Sequence, residues 1–186
     1  GAVQADKTVI ETKYNNLFII PAGANLAAAE QELVSVSHRE SILKAVLSPL
    51  EFDVILIDCP PSLGLLSVNA LVASNYVLIP VQTEYYALEG LGLLMQTVQR
   101  VQQNLNESLK LLGVVMTMFD KRNALSTQVI DEVKKHFGQY VFDTVIPRNV
   151  RLAEAPSYGV TVFEHDKWSK GARAYKSLAK EVEPHV

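Results

Sequence analysis

The chain has 186 residues, 48% hydrophobic and 20% charged, with a net charge of −3. That composition belongs to a soluble globular domain with a full core; no apolar run reaches the roughly 18–20 residues of a membrane span, and residues 1–6 lack the basic and apolar regions of a signal peptide. The single cysteine, Cys59, excludes an internal disulfide and a multi-cysteine metal site within one chain, and a cytosolic location is expected.

Charge is uneven along the chain. Residues 1–93 hold 4 Lys/Arg against 10 Asp/Glu, and residues 94–186 hold 13 against 10. A surface for anionic partners therefore has to come from the second half, although solvated helix faces explain such a bias equally well.

In chain order, the apolar run 17–20 before Pro21 and Gly23 predicts a strand and a turn. Residues 26–36 predict a helix. Ser37-His38-Arg39-Glu40 has capping-box spacing and predicts a second helix with Ile42, Leu43, Val46 and Leu47 inward. Val54 to Ile57 are four consecutive apolar residues. They predict a central strand over 53–58, buried on both faces as in a parallel sheet. Pro60 and Pro61 then force the chain out of the sheet at Asp58.

Residues 67–74 predict a short helix and 76–81 a second buried strand. A long helix to about 105 carries Leu91, Leu94, Met95, Val98, Val101 and Leu105 at three-to-four spacing. Residues 109–119 predict a strand, and Asp120-Lys121-Arg122-Asn123 a polar turn. An amphipathic helix follows over 125–137, with Val129, Ile130, Val133 and Phe137 inward. Residues 141–146 predict a last strand ended by Pro147. Residues 148–159 predict a loop with one helical turn near 152–155. A terminal helix over 169–182 points Ala172, Tyr175, Leu178, Ala179 and Val182 inward.

This alternation predicts one α/β domain over 1–186, a mostly parallel twisted sheet with helices on both faces. An acid at the carboxyl end of a buried parallel strand, as Asp58 would be, stands where open α/β sheets bind ligands. On its own, though, an acid there also serves as a plain strand cap. His38, His136, His165 and His185 are not spaced as metal ligands.

Ile57-Asp58-Cys59-Pro60-Pro61-Ser62-Leu63-Gly64 resembles the Walker B region of the ParA/Soj/MinD group of P-loop ATPases. Three more stretches resemble the ParA (Soj) branch, in the same order: residues 80–91 (Pro-Val-Gln-Thr-Glu-Tyr-Tyr-Ala-Leu-Glu-Gly-Leu), 116–120 (Met-Thr-Met-Phe-Asp) and 145–159 (Val-Ile-Pro-Arg-Asn-Val-Arg-Leu-Ala-Glu-Ala-Pro-Ser-Tyr-Gly). The likeness covers essentially the whole chain. It implies a P-loop NTPase-like fold and a partition ATPase that dimerises around ATP and Mg²⁺. It also implies non-specific DNA binding on the nucleoid, regulated by a ParB-like partner.

Residue by residue, the resemblance assigns Asp58 to a water of Mg²⁺ and Pro60 to a γ-phosphate-sensing loop. It places Met118, Asp120, Pro147, Arg148 and Asn149 around the adenine. It marks Arg122 and Arg151 as DNA contacts, with Lys121 beside them; for Pro147 and Asn149 turn chemistry is the alternative. Lys134, Lys135, Lys170 and Arg173 could extend the patch.

No glycine in the chain is followed by the Lys-Thr or Lys-Ser of a Walker A motif. The chain is expected to begin after that motif, as a fragment, as a short product, or with another chain filling the gap. The strands near 53–57 and 76–81 would then lack a shared neighbour, leaving costly unpaired backbone. On this expectation the chain alone is inactive and binds no ATP measurably. The alternative to an ATP-dependent partition switch is a nucleotide-free ParA-like interaction module. An electron-transfer relative of the nitrogenase iron-protein type is disfavoured, because its bridging cluster needs two cysteines per subunit.

Overall fold

A computed structural model describes residues 5–23 and 25–185. The described residues up to Asn75, together with Thr97–Leu109, form one compact unit; Tyr76–Gln96 and the described residues from Lys110 onward form another.

The first unit opens with a 3₁₀ turn, Ala5–Thr8, and an antiparallel pair, β1 (Ile10–Glu11) and β2 (Phe18–Ile19). Only two residues of the expected first strand are paired, and they pair with a partner that the sequence pattern does not announce. Helix α1 spans Leu26–Leu33 and α2 spans Ile42–Leu47. The capping box expected at 37–40 is not formed. His38 takes φ 53°, Arg39–Ser41 coil into a 3₁₀ turn, and the helix starts two residues after Glu40. Arg39 instead turns back, and its Nη1 donates to the Val34 carbonyl at 2.6 Å.

The expected central strand over 53–58 is absent. These residues make no ladder with any described residue, and Val54, Ile55 and Leu56 are exposed, Leu56 at 90%. The reason is non-local: a strand exists only through its neighbour's N–H and C=O groups, and here none is offered. The apolar run marks a segment suited to a sheet, but the run alone cannot build one.

Helix α3 (Leu65–Ala73) follows the Pro-Pro loop, and polar groups tie it down. The Glu30 carboxylate accepts the Leu65 N–H at 2.5 Å. Asn69 is buried; its Nδ2 donates to the Arg39 and Leu65 carbonyls, and its Oδ1 accepts the Leu43 N–H. Asn106, also buried, donates to the carbonyls of Leu71, Val72 and Ser74.

The second unit holds the parallel sheet. Strand β3 (Tyr76–Gln82) pairs with β4 (Lys110–Thr117) from Tyr76↔Lys110 to Gln82↔Thr117, with an irregularity between Val77 and Leu78. The connection between them runs through α4 (Tyr85–Asn104), a helix crossover of the kind parallel strands require. Helix α5 (Ala124–Phe137) starts at Asn123, whose side chain accepts the Leu125 N–H, and buries Val129 and Val133 as its spacing predicts. The core is Ile79, Val81, Leu91, Val114, Met116, Val129, Val133 and Val141.

The expected last strand over 141–146 is reduced to a bridge, Val114↔Val141, and two further bonds, Phe142 N–H to Val114 at 2.9 Å and Ile146 N–H to Met116 at 2.8 Å. The N–H groups of Asp143 and Thr144 go instead to the Glu181 carboxylate, at 2.6 and 3.0 Å. A side chain takes the donors that a ladder would have used.

Helix α6 (Val150–Glu154), a 3₁₀ turn (Ala155–Tyr158), α7 (Val162–Asp166) and α8 (Lys170–Val182) complete the unit. The helical turn near 152–155 is therefore present, while α7 has no counterpart in the sequence pattern. Tyr175 and Ala179 of α8 are exposed rather than inward; the buried stripe runs through Gly171, Ala172 and Leu178. Gly171 sets that rotation, because a Cβ there would lie 2.5 Å from Leu152 Cγ.

Candidate functional site

The site residues fall into two groups, one in each unit. In the first unit, Asp58 and Pro60 lie in the exposed segment between the unpaired run and α3. No hydrogen bond to the Asp58 carboxylate occurs among the described residues, so it is open to solvent. The neighbouring Cys59 thiol is pushed up, first by desolvation and then by the Asp58 charge, and its Sγ lies 3.7 Å from the Ile57 carbonyl.

No group of three or more His, Cys, Asp or Glu able to hold a metal occurs among the described residues. That excludes an all-protein cage there. A single free carboxylate does fit Mg²⁺, which keeps several of its waters and takes one or two carboxylates along with phosphate oxygens.

The second group lies beyond the carboxyl end of β4. Met118 takes φ 55°, a left-handed conformation uncommon outside glycine. The Thr83 hydroxyl lies 3.3 Å from the Met118 carbonyl and 3.2 Å from Ser126 Oγ, and both hydroxyl residues are buried. Phe119 then bridges to Pro147 in parallel, its N–H donating to Ile146 and its carbonyl accepting from Arg148. The structure thus brings Met118, Phe119, Pro147 and Arg148 onto one rim. Arg148 Nη2 donates to Glu84 Oε1 at 3.4 Å. Asn149 serves as a helix cap: its Oδ1 accepts the Arg151 N–H at 3.0 Å.

Each arginine marked by the resemblance has carboxylate partners within its own unit. Arg122 forks onto Asp120, Nε to Oδ1 at 3.0 Å and Nη2 to Oδ2 at 2.7 Å, while its backbone N–H also reaches Oδ1 at 3.0 Å. The Arg122 side-chain hydrogen bonds, then its N–H, hold the Asp120 carboxyl well below the usual carboxylate range; the Arg148 charge adds to this. Arg151 Nη1 donates to Glu154 Oε2 at 2.8 Å, and its Nε lies 3.6 Å from Asp166 Oδ2. Glu154 also meets His165 Nε2 at 3.2 Å, and these two partners, Arg151 first, lower its pKa. His165 stacks on Tyr158 at 5.1 Å between centroids. Lys121 is exposed, with no carboxylate partner among the described residues.

Sequence reasoning missed Thr83, Ser126, Glu84, Glu154 and Asp166. Glu154 was open to discovery, three residues after Arg151 and on the same helical face. Nothing local points to Thr83, whose partners are 35 and 43 residues away.

Comparison with known proteins places this geometry in context. A family model described as an AAA domain matches residues 1–111. The chain is 48% identical over 184 residues to the chromosome-partitioning ATPase Soj of Treponema pallidum, covering 98% of this chain and 73% of that protein. It is 56% identical over 173 residues to the sporulation initiation inhibitor protein Soj of Bacillus subtilis, covering 92% and 68%. The structure of cobyrinic acid a,c-diamide synthase from Mycobacterium smegmatis with bound ADP and magnesium superposes with a TM-score of 0.81 at 35% identity, over 98% of this chain and 68% of that one. With the identity to two Soj proteins running over 98% and 92% of its length, the chain belongs to the Soj/ParA family of partition ATPases.

Proposed function

We propose that this chain is the Walker B, adenine-rim and DNA-contacting part of an ATPase that partitions chromosomes or plasmids. It works as a homodimer in the cytoplasm, on the nucleoid, under a ParB-like partner. The two Soj relatives, one of them named for chromosome partitioning, support this reading over the nucleotide-free module.

The observation that carries it is the exposure of two guanidinium groups, Arg122 just after the matching stretch 116–120 and Arg151 within the matching stretch 145–159. The side chains of Arg122 and Arg151 are 83% and 53% exposed. Each follows a turn held by a side-chain oxygen, Asp120 Oδ1 on the Arg122 N–H and Asn149 Oδ1 on the Arg151 N–H. Cations presented from fixed turns suit phosphates, which give affinity without sequence readout.

Asp58 would hold a Mg²⁺ water, and Pro60 would stiffen the loop beside the γ-phosphate. Magnesium supplies charge neutralisation at the β- and γ-phosphates when bound. Pro147 would pack its pyrrolidine ring against the adenine, and Asn149, whose oxygen caps α6, would keep its amide nitrogen for a base edge.

The test is retention on double-stranded DNA at low ionic strength, with and without Mg-ATP. Arg122→Glu and Arg151→Glu are expected to lose retention while keeping the wild-type circular dichroism spectrum. Asp58→Ala is expected to leave retention without Mg-ATP unchanged. Undiminished retention of both arginine variants overturns the DNA reading.

A further inference from the structure

The two arginines just described are not free cations. Asp120 meets the guanidinium edge of Arg122 with two near-parallel bonds, 3.0 and 2.7 Å. A phosphate would take the same edge in the same bidentate way. Arg151 is engaged on two sides, by Glu154 at 2.8 Å and Asp166 at 3.6 Å. Lys121, between Asp120 and Arg122 in sequence, has no such partner among the described residues.

We propose that Asp120 and Glu154 act as internal phosphate mimics, occupying Arg122 and Arg151 until a DNA phosphate displaces them. The proposal rests on the reading of these arginines as phosphate contacts, and adds what sets their affinity.

Two physical points favour exchange over permanent pairing. Both pairs are solvent-exposed, so breaking them costs little. The carboxylates are local, two and three residues from their arginines, so they stay close after displacement. A displaced carboxylate then repels the incoming phosphate, and the surface holds DNA less tightly than its arginines alone would. Such a grip is also salt-sensitive.

The consequence runs against the usual expectation for acidic residues that pair with functional arginines. Removing the charge should tighten DNA binding. Asp120→Asn suits the test because its Oδ1 still accepts the Arg122 N–H, so the turn is kept. Glu154→Gln is the independent second variant. Glu11→Gln, in β1 of the first unit, makes the same charge change at a carboxylate that pairs with neither arginine.

The experiment is DNA retention of the 186-residue chain across a salt titration, with circular dichroism confirming folding. Asp120→Asn and Glu154→Gln are each expected to bind about threefold more tightly at low ionic strength. The Asp120→Asn gain is expected to vanish in an Arg122→Ala background, and Glu11→Gln is expected to show none. Unchanged or weaker binding in both carboxylate variants, an equal gain in Glu11→Gln, or a gain that survives without Arg122 overturns the proposal. If Arg122→Glu weakens binding and Asp120→Asn changes nothing, only the mimic is lost. If Arg122→Glu and Arg151→Glu leave retention intact, the phosphate-contact reading falls and the mimic with it.

Discussion

The hydroxyl of Thr83, in the turn after β3, lies 3.3 Å from the carbonyl of Met118, 35 residues later. Thr83 is 2% exposed, and Met118 sits at φ 55°. One buried side chain thus supports the left-handed residue from which Phe119 and Asp120 leave the sheet. Replacing Thr83 by Val keeps the volume but leaves the Met118 carbonyl and Ser126 hydroxyl without this partner, at a cost of about 1–3 kcal/mol. Thr83→Ser keeps the hydroxyl and should recover most of that. Urea denaturation of the two variants checks the ordering.

The acid limb of stability follows from lowered carboxyl groups. Asp120, Glu132, Glu154 and Glu181 all titrate below their ordinary values of 3.8 and 4.5. A carboxyl lowered in the folded state binds fewer protons there than in the unfolded chain. Its contribution is therefore complete above the ordinary value and is lost as pH falls through the folded one. The thermal midpoint is expected to be flat with respect to these groups above pH 4.5 and to decline below it. Asp120 should be among the last to protonate in a carbonyl-carbon titration, and Arg122→Ala should return it toward 3.8.

Glu181 binds the irregular segment after α5 to α8. Desolvation raises its pKa, but the bonds from Thr144 and from the Asp143 and Thr144 N–H groups outweigh that, and the net shift is downward. Glu181→Ala frees two backbone donors at 2.6 and 3.0 Å. Both are near solvent, so the loss is about 1 kcal/mol rather than that of a buried pair. Hydrogen exchange localises the effect: the amides of Asp143 and Thr144 should lose protection while those of Val115 and Met116 keep it.

Leu56 and Val114 are both apolar residues in apolar runs, with opposite fates. Leu56 is 90% exposed and Val114 fully buried. Leu56→Ala should shift the denaturation midpoint negligibly, whereas Val114→Ala should cost about 2 kcal/mol through lost burial and a residual cavity. Equal effects of the two would show that 53–58 is packed in solution.

What the sequence by itself determined is what local chemistry determines. The spacing of Val129 and Val133 located α5, Asn123 was legible as a turn residue, and β3, α4 and β4 lie close to where periodicity put them; that Asn123 and Asn149 cap helices came from the structure. The ordered motifs around Asp58, Thr83–Gly90, Asp120 and Pro147 are legible in the sequence as a Soj/ParA likeness. Tertiary structure decided everything that depends on a distant partner. Val54–Ile57 read as a core strand, yet a strand needs a neighbour's backbone and none of the described residues supplies it. Residues 141–146 read as a strand, yet Glu181 takes two of their donors from 37 and 38 residues away. The resemblance marked Arg122 and Arg151 as DNA contacts. Their pairing with Asp120 and Glu154 is local, two and three residues along the chain, but which side-chain atoms meet follows from the turn after Met118 and from α6, because side-chain direction as well as residue type decides which charges meet.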